Sequence, residues 1–420
     1  MTKRDSQLIT DLARPRLPFL FKAVNVIGGL PASRFVKLDE NDLLATARRK
    51  TGLHEFGDEF FREPLRVLLN ALETEANLSA FGRFAARKFI LQLLSTRLLI
   101  QDMVNRYPEI LEERIEKPII IAGLPRTGTT HLHNLMSQDP DLRFIPYWES
   151  LEPILPENQR PKPGQQDPRI NRCEQALKMM QYVLPLFSSM HEITADGAHE
   201  EIQLLAIDFS TMLFESMYIV PSYRDWYKAN EHTCAYDSLR LSLQVLQWQS
   251  HGRKRWVLKS PQHLEQFHPL ISAFPDASII QTHRDPVRIT ASFCTMIAYS
   301  QRMNASVVEP LVIGRYWADR VEDLLRASVE DRRKLPEGKI LDIRFHEYMA
   351  DQISMVERVY EFLGQPMTDA ASKAIRAFKD ANPKGKHGSV LYRLKDFGLD
   401  PDERREALRF YCEFFGIPVE

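Results

Sequence analysis

Apolar and polar residues recur at helical spacing through the first quarter of the chain. The pattern predicts three helices, over residues 41–51, 63–76 and 80–106. In the third of these, apolar positions such as Ile90 and Leu94 lie on one side, as the buried face of a helix requires. We therefore expect residues 1–115 to form a helical N-terminal region that packs on the rest of the protein.

After residue 115 the pattern changes to short apolar runs, separated by stretches with helical periodicity. We predict four strands, over residues 119–122, 256–259, 278–283 and 339–345. Three of these runs are rich in Ile, Val or Leu, which is typical of strands buried on both faces. Their alternation with helices predicts an α/β fold with a parallel sheet flanked by helices. We expect residues 116–420 to form this domain, and the segment 151–250 to build a pocket and its lid.

Composition narrows the classes of function. Of the 420 residues, 44% are hydrophobic and 26% are charged, which is ordinary for a soluble protein. Lys and Arg number 55 against 56 for Asp and Glu, so the chain has no general attraction for nucleic acid or an anionic membrane. The four cysteines are far apart, which favours reduced thiols in a cytoplasmic protein. The apolar run 19–27 is too short to span a bilayer, and no Cys/His cluster has the spacing of metal ligands.

The strongest chemical signal follows the first predicted strand. Gly123 and Gly128 bracket a tight loop that leads into a helix at Thr129, so backbone N–H groups and a positive helix end converge on one point. The spacing fits the phosphate-binding pattern G-x-x-x-x-G-K-[ST], except that Thr129 replaces the lysine and the nearby charge is Arg126. Kinases and ATPases use that lysine with Mg²⁺ at a γ-phosphate, so this loop indicates different phosphate chemistry. A purely structural turn is the alternative.

A second basic segment follows the third predicted strand. Asp285 can cap the next helix, and Pro286 suits its first position. Arg284 then projects at the end of the strand, and Ser292 lies about two turns along the helix. Arginine presents a planar fork to a phosphate, and serine adds a neutral donor. Both this segment and the glycine loop lie at carboxyl ends of strands, where parallel sheets bind ligands. A structural ion pair of Arg284 is the alternative.

Together the two segments resemble the signatures of the sulfotransferases that use 3′-phosphoadenosine 5′-phosphosulfate (PAPS). The run Pro125-Arg126-Thr127-Gly128-Thr129-Thr130 is similar to the family's P-[KR]-[ST]-G-T-T loop, and Arg284, Pro286 and Ser292 are similar to its R-x-P segment with a following serine. The stretch 258–264 is similar to the broad, largely bacterial branch of the family. The resemblance extends from about Leu43 to about Phe415.

The resemblance implies a P-loop-type α/β fold and the transfer of a sulfuryl group from PAPS to an acceptor, with a small-molecule hydroxyl expected. It implies no metal, and it implies a small-molecule acceptor as the partner. The 5′-phosphosulfate would be bound by Arg126, Thr127, Gly128, Thr129 and Thr130, and the 3′-phosphate by Arg284 and Ser292. Arg126 would also act in catalysis, because it can stabilise the leaving phosphate together with the loop N–H groups.

The resemblance also implies residues that act on the transferred group and on the acceptor. Lys259 is similar to the lysine of the K-T-H segment in the cytosolic branch, but Pro261 occupies the position of that segment's histidine. The largely bacterial branch, which this sequence resembles, carries a glutamate pair after a histidine. Glu201 is therefore the first candidate for the general base, followed by Glu200 and then His191. A carboxylate in a partly apolar cleft can have its pKa raised and accept an alcohol proton. Favourable placement at a helix N-terminus is the alternative reason for two acidic residues there.

A late basic segment is the last candidate. Lys384-Gly385-Lys386-His387-Gly388, followed by Arg393, resembles the family's loop over the 3′-phosphate, with Lys386 and Arg393 as the binding residues. A basic surface loop is the alternative. Two rival functions stay open at this point, a P-loop kinase or NTPase and a nucleotide-binding protein without catalysis. Sterol, phenol, lipid and sugar hydroxyls are all open as acceptors, and so is the oligomeric state.

Overall fold

The computed structural model describes residues 7–28, 36–250, 252, 254–383, 386 and 388–420. Its strands are β1 (Gln7–Leu8), β2 (Ile119–Ala122), β3 (Leu142–Arg143), β4 (Arg255–Lys259), β5 (Ser278–His283), β6 (Ile340–Arg344) and β7 (Val390–Leu391). The four strands predicted from apolar runs are all present, with bounds within about one residue of those expected. The remaining three have two residues each, too few for a pattern to mark them.

The helices of the N-terminal part are α1 (Phe19–Gly28), α2 (Glu40–Thr51), α3 (Arg62–Thr74) and α4 (Ala80–Arg106). Between β2 and β4 lie α5 (Thr129–Met136), α6 (Tyr147–Leu151), α7 (Pro168–Val183), α8 (Phe187–Met190), α9 (Ile202–Leu205), α10 (Leu213–Met217), α11 (Pro221–Ala229) and α12 (Thr233–Ser250). The later helices are α13 (Phe267–Ala273), α14 (Pro286–Gln301), α15 (Pro310–Arg332), α16 (Phe345–Ala350), α17 (Gln352–Leu363), α18 (Asp369–Ala381), α19 (Pro401–Ala407) and α20 (Arg409–Phe415).

Five strands form a parallel sheet in the order β3-β4-β2-β5-β6. The central strand is β2, in which Ile120 pairs with Leu258 of β4 on one side and Ile279 of β5 on the other. Alternate residues of β2 enter different apolar clusters, Ile119 and Ile121 on one face and Ile120 on the other. This two-sided burial explains the unbroken run of isoleucines, and the predicted parallel α/β fold is confirmed.

The strand order places a ligand crevice at the end of β2. From β2 the chain first builds β3 and β4 on one side and then crosses to build β5 and β6 on the other. Such a reversal separates the connections that leave neighbouring strands, and it opens a crevice at their carboxyl ends. The glycine loop after β2 lies in this crevice, and the segments after β4 and β5 flank it.

The predicted N-terminal helices are confirmed as α2, α3 and α4. The side chain of Asp39 accepts the N–H of Asp42 at the start of α2, and Ser79 Oγ accepts the N–H of Gly82 over 3.0 Å at the start of α4. Such caps satisfy N–H groups that have no partner inside the helix. Leu94 of α4 belongs to the same buried apolar cluster as residues of the sheet domain, so this region packs directly on the rest of the protein.

Two further features complete the fold. The short strands β1 and β7 pair in parallel, so residues near the two ends of the sequence lie together. The segment 153–168 is exposed over most of its length and contains a single turn of 3₁₀ helix at Glu157–Gln159. Within the described ranges, no helix combines the length and apolar character needed to cross a membrane.

Candidate active site

The loop after β2 has the backbone geometry of an anion site. Arg126 and Gly128 have positive φ angles of 74° and 95°, which turn the chain sharply before α5 begins at Thr129. Among the described residues, no acceptor is found for the backbone N–H groups of Gly128, Thr129 and Thr130. Thr129 is only 4% exposed. Unpaired N–H groups at a helix start form a cradle for a phosphate.

Hydroxyl groups tie this loop to the neighbouring strand β5. Thr127 Oγ1 donates to the carbonyl of Leu124 over 2.6 Å, and it lies 2.6 Å from Thr282 Oγ1. Gly123 sits against this pair, because a Cβ atom there would lie 2.2 Å from Thr282 Oγ1. Since Thr282 is two residues before Arg284, the two segments recognised in the sequence are held together by a direct contact.

Arg126 lies on the exposed side of the loop. One of its guanidinium nitrogens donates to the carbonyl of Met190, at the end of α8, and the group lies 5.9 Å from the centre of the Tyr392 ring. The side chain therefore joins the loop to the segment around residue 190. From this position its charge is available beside the N–H cradle.

Arg284 is fixed by contacts on three sides. Its Nη1 donates to the backbone carbonyl of Arg126 over 3.0 Å, and its guanidinium group lies 4.0 Å from the centre of the Phe345 ring. Its Nε and Nη2 donate to the carboxylate of Glu420, with Nη2 at 2.7 Å from Oε2. Ser292 is buried on α14 and 5% exposed, and its hydroxyl makes no hydrogen bond to another described residue.

Lys259 connects the loop with the glutamate pair. It ends β4, is only 2% exposed, and its Nζ lies 3.3 Å from Thr130 Oγ1 at the start of α5. The same Nζ donates to the carboxylate of Glu200. The structure thus brings together three residues predicted for the site from separate parts of the sequence.

Glu201 lies in a different environment from the one expected. It is fully buried, and its Oε2 accepts the backbone N–H of Lys259 over 2.8 Å, while Oε1 bonds to Nε2 of His263. Nδ1 of His263 in turn lies 2.8 Å from the hydroxyl of Tyr236. Burial raises the pKa of Glu201, but the hydrogen bonds and charge of His263 and the N–H of Lys259 outweigh it, so the pKa is lowered. The expectation of a raised pKa for Glu201 is wrong, because His263 and the backbone N–H of Lys259 stabilise its charged form. Neither contact could be seen in the sequence.

A cavity of about 310 Å³ opens beside Lys259. His191 and His199 line it together with Thr130, and neither imidazole ring has a hydrogen-bond partner within the described part of the chain. Burial and then the charges of Lys259 and Arg126 lower the pKa of His191 to about 3. Burial and the charge of Lys259 also lower the pKa of His199, so both rings are neutral at pH 7.

The late basic segment is only partly described. Lys384, Gly385 and His387 lie outside the described residues. Lys386 lines the cavity, and its Nζ donates to Asn382 Oδ1 over 2.9 Å. Arg393 is bonded instead to Asp396, with Nε 2.9 Å from Oδ2, and no contact of its side chain with the phosphate loop is found among the described residues.

The two histidines of α5 have ordinary structural partners. His131 bonds to the hydroxyl of Tyr348, and His133 bonds to the carbonyl of Val257 over 3.2 Å. A search of the described ranges finds no group of His, Cys, Asp and Glu side chains that could hold a metal ion.

The fold and this site define a class of protein, an α/β protein of P-loop type in which N–H groups at the switch point of the parallel sheet have no acceptor among the described residues. Residues 118–369, more than half of the chain, match the profile of the sulfotransferase family. The chain belongs to this family, and it is an enzyme that transfers a sulfuryl group. The kinase interpretation is thereby set aside.

Solved structures agree with this assignment. The chain is similar to sulfotransferase STF1 of Mycobacterium tuberculosis, with 29% identity and a TM-score of 0.76 over 88% of this chain and 98% of the other. It is similar to sulfotransferase STF9 of Mycobacterium avium, with 26% identity and a TM-score of 0.80 over 91% and 97% of the two chains. Among curated proteins, no sequence matches this one.

Three features of the site were not found from the sequence. His199 directly precedes the glutamate pair in the sequence, but only the folded structure shows that it lines the same cavity as His191 and Lys259. His263 is the partner of Glu201, and a contact between residues 62 positions apart carries no local signal in the sequence. Glu420 gave no signal, since it contacts Arg284 across 136 positions of the chain.

Proposed function

We propose that the sulfuryl donor is PAPS and that the acceptor is a hydroxyl group of a small molecule held in the cavity beside Lys259. The observation that carries this proposal is the position of Lys259. Its Nζ is 3.3 Å from Thr130 Oγ1 in the phosphate loop, it bonds to Glu200, and it lines the 310 Å³ cavity. Lys259 therefore contacts the proposed donor loop and also lines the proposed acceptor cavity.

The residues present fit the two phosphate ends of PAPS. The unpaired N–H groups of Gly128, Thr129 and Thr130 suit the 5′-phosphosulfate, and Arg126 adds a positive charge there. Arg284 donates to the backbone carbonyl of Arg126, so its guanidinium group lies beside the loop, which suits the 3′-phosphate. Ser292, Lys386 and Arg393 stay predicted contacts of that phosphate.

Charge stabilisation is the first part of the proposed chemistry. PAPS supplies the sulfuryl group, and the phosphate that leaves it gains negative charge. Lys259 and Arg126 are cations beside the loop, so they stabilise that charge without a metal ion. Lys259 is 2% exposed, and a cation in such a poorly solvated position acts more strongly than one in water.

The second part is removal of the acceptor proton, for which we propose Glu200. Its carboxylate contacts Lys259 Nζ, and its side chain keeps 20% of its exposure, whereas Glu201 is fully buried with both oxygens bonded. His191 is the second candidate, because its free ring lines the cavity. Its low pKa makes it a weak base in the absence of a ligand.

Glu201 takes a positioning role in this account. It holds the backbone of Lys259 through Oε2 and is itself held by His263. The end of β4 is therefore fixed by a buried chain of bonds that reaches Tyr236. This chain directs the Lys259 side chain towards the phosphate loop.

Calorimetric titration with nucleotides tests the donor proposal. Adenosine 3′,5′-bisphosphate, the product that PAPS leaves behind, should bind without Mg²⁺ and more tightly than ATP with Mg²⁺. Tighter binding of ATP–Mg²⁺, or no binding of the bisphosphate, would contradict PAPS as the donor.

A further inference from the structure

We infer that the acceptor is a small polyhydroxylated molecule, such as a mono- or disaccharide, and not a sterol or a simple phenol. This inference rests on the proposed function and narrows its acceptor. It starts from the side chains around the cavity beside Lys259. Four polar side chains there have no hydrogen-bond partner among the described residues, namely Asn134, His191, Thr194 and His199. The aromatic side chains of the lining are Phe144 and Phe378.

One wall of the cavity offers both donors and acceptors. Asn134 lies on α5, one turn after Thr130, so its amide faces the same side of the helix as the Lys259 contact. The Asn134 side chain has no hydrogen-bond partner among the described residues, although its backbone carbonyl accepts from Ser137 and Gln138. An amide provides a donor and an acceptor at once, which matches a hydroxyl group that needs both.

Further polar groups that line the cavity lack hydrogen-bond partners among the described residues. The Thr194 hydroxyl and the rings of His191 and His199 face the cavity, and none is hydrogen-bonded to another described side chain. Both histidine rings are neutral, so each has one donor and one acceptor nitrogen. A sterol would cover these groups without bonding to them, and buried polar groups left unpaired disfavour such a ligand strongly.

The volume of the cavity and its aromatic side chains also suit a saccharide. A cavity of about 310 Å³ is at the lower end for small-molecule sites. Phe144 and Phe378 are half-buried and provide flat apolar surface for the C–H face of a sugar ring. The cavity thus combines a few aromatic contacts with many hydrogen-bonding groups.

The test compares acceptors at equal concentration with PAPS as donor, namely maltose and methyl glucoside against 4-nitrophenol and detergent-dispersed cholesterol. We expect both saccharides to be sulfated at least about tenfold faster than the other two. Asn134→Leu keeps the size of the side chain but removes its hydrogen bonds. This variant should raise KM for maltose about tenfold or more, with little change in the affinity for adenosine 3′,5′-bisphosphate.

Preference for 4-nitrophenol or cholesterol, no transfer to either saccharide, or an unchanged KM for maltose in Asn134→Leu would overturn the inference. Asn230→Leu is the matched control, since Asn230 lies at the end of α11 outside this cavity. Failure of the inference is distinct from failure of the proposed function. In the first case the bisphosphate still binds, and in the second it does not.

A separate observation supports a second inference, which also rests on the proposed function. We propose that Glu420 competes with the 3′-phosphate for Arg284. The carboxylate of Glu420 takes both Nε and Nη2 of Arg284, the same edge of the guanidinium group that would bind a phosphate in bidentate fashion. The backbone N–H of Glu420 also donates to Asp285 Oδ2 over 3.0 Å, which holds the competing residue in place.

The contact is partly exposed, so it can be exchanged for a ligand. The side chains of Arg284 and Glu420 keep 19% and 26% of their exposure, so a ligand can reach the guanidinium group when the carboxylate moves away. The Phe345 ring and the Arg126 carbonyl hold Arg284 independently of Glu420. Arg284 therefore stays positioned when the carboxylate leaves, and the cost of displacing Glu420 lowers the affinity for the nucleotide.

Calorimetric titration of the Glu420→Gln variant shows whether Glu420 competes with the 3′-phosphate for Arg284 or instead helps Arg284 to bind it. Competition predicts that adenosine 3′,5′-bisphosphate binds about two- to fivefold more tightly to Glu420→Gln, while adenosine 5′-phosphate binds with unchanged affinity. In an Arg284→Ala background, Glu420→Gln should have no effect. Weaker or unchanged binding of the bisphosphate to Glu420→Gln would overturn the inference. If wild type binds neither nucleotide, the proposed function itself fails.

Discussion

The hydroxyl oxygens of Thr127 and Thr282 lie 2.6 Å apart, which joins the phosphate loop to the strand that leads into Arg284. This contact fixes the loop proposed to bind the 5′-phosphosulfate relative to the arginine proposed to bind the 3′-phosphate. Gly123 makes room for it, since any side chain at that position would enter the space of the Thr282 hydroxyl. The distance between the two proposed phosphate sites therefore depends on Gly123, although Gly123 is not one of the residues proposed to bind either phosphate.

Gly123→Ala should destabilise the protein by about 1–3 kcal/mol and weaken the binding of adenosine 3′,5′-bisphosphate, because a Cβ would lie 2.2 Å from Thr282 Oγ1. Thermal unfolding and calorimetry measure the two effects. The double variant Gly123→Ala, Thr282→Ala lacks the clashing hydroxyl and should recover part of the loss. No recovery would mean that the Thr282 hydroxyl is not the source of the strain.

Lys259→Ala should lower kcat by about 10²–10³-fold, since it removes the cation that joins the phosphate loop to the cavity. Lys259→Arg keeps the charge and should retain more activity than Lys259→Ala. Single-turnover measurements with PAPS report the chemical step. Thermal unfolding of both variants provides the control, because Lys259 is buried and its loss leaves Glu200 without its partner. Equal turnover in wild type and Lys259→Ala would exclude the role.

Glu200→Gln should lower kcat by about 10²–10⁴-fold, the span typical of a general base. Nucleotide affinity should change little, because the carboxylate is proposed to face the acceptor. Comparison of kcat in Glu200→Gln with kcat in His191→Ala separates the two candidates. A fully active Glu200→Gln together with an inactive His191→Ala would assign the proton transfer to His191.

Glu201→Gln should act mainly on stability, with a loss of about 1.5–3 kcal/mol at neutral pH. The folded protein lowers the pKa of Glu201 below its value of 4.5 in an unperturbed chain. The carboxylate therefore contributes stability that is fully present above that value and is lost as the pH falls through the lower folded pKa. Denaturant unfolding from pH 7 to pH 3 should show wild type and variant converging in acid. A pH-independent difference would contradict the lowered pKa.

Much of the fold could be predicted from the sequence because its main elements have local signals. The run Ile119–Ala122 is apolar at every position, as a doubly buried strand must be, and two glycines mark the turn that follows. Asp285 and Pro286 begin α14 as expected, with the Asp285 side chain accepting the N–H of Val287. Strand β3 was missed, because two residues at a sheet edge carry no periodicity.

The site was predictable only in part, since its electrostatics depend on contacts distant in sequence. The adjacent glutamates look alike in the chain, yet Glu201 is buried against His263, 62 positions away, whereas Glu200 reaches Lys259 Nζ. The two side chains leave the backbone in different directions just before α9, so one reaches Lys259 Nζ and the other reaches His263. No local pattern in the sequence shows which residue points which way. The contact of Glu420 with Arg284 is likewise invisible before the chain is folded.

The most direct measurement of the central claim follows radiolabelled sulfur from PAPS into acceptors of a metabolite extract, together with the release of adenosine 3′,5′-bisphosphate. We expect labelled product and bisphosphate in equal amounts, formed without added metal and nearly abolished by Lys259→Ala and Glu200→Gln. Bisphosphate binding without any labelled product would identify a nucleotide-binding protein that lacks catalysis. Labelled product formed equally well by wild type and both variants would contradict the proposed site.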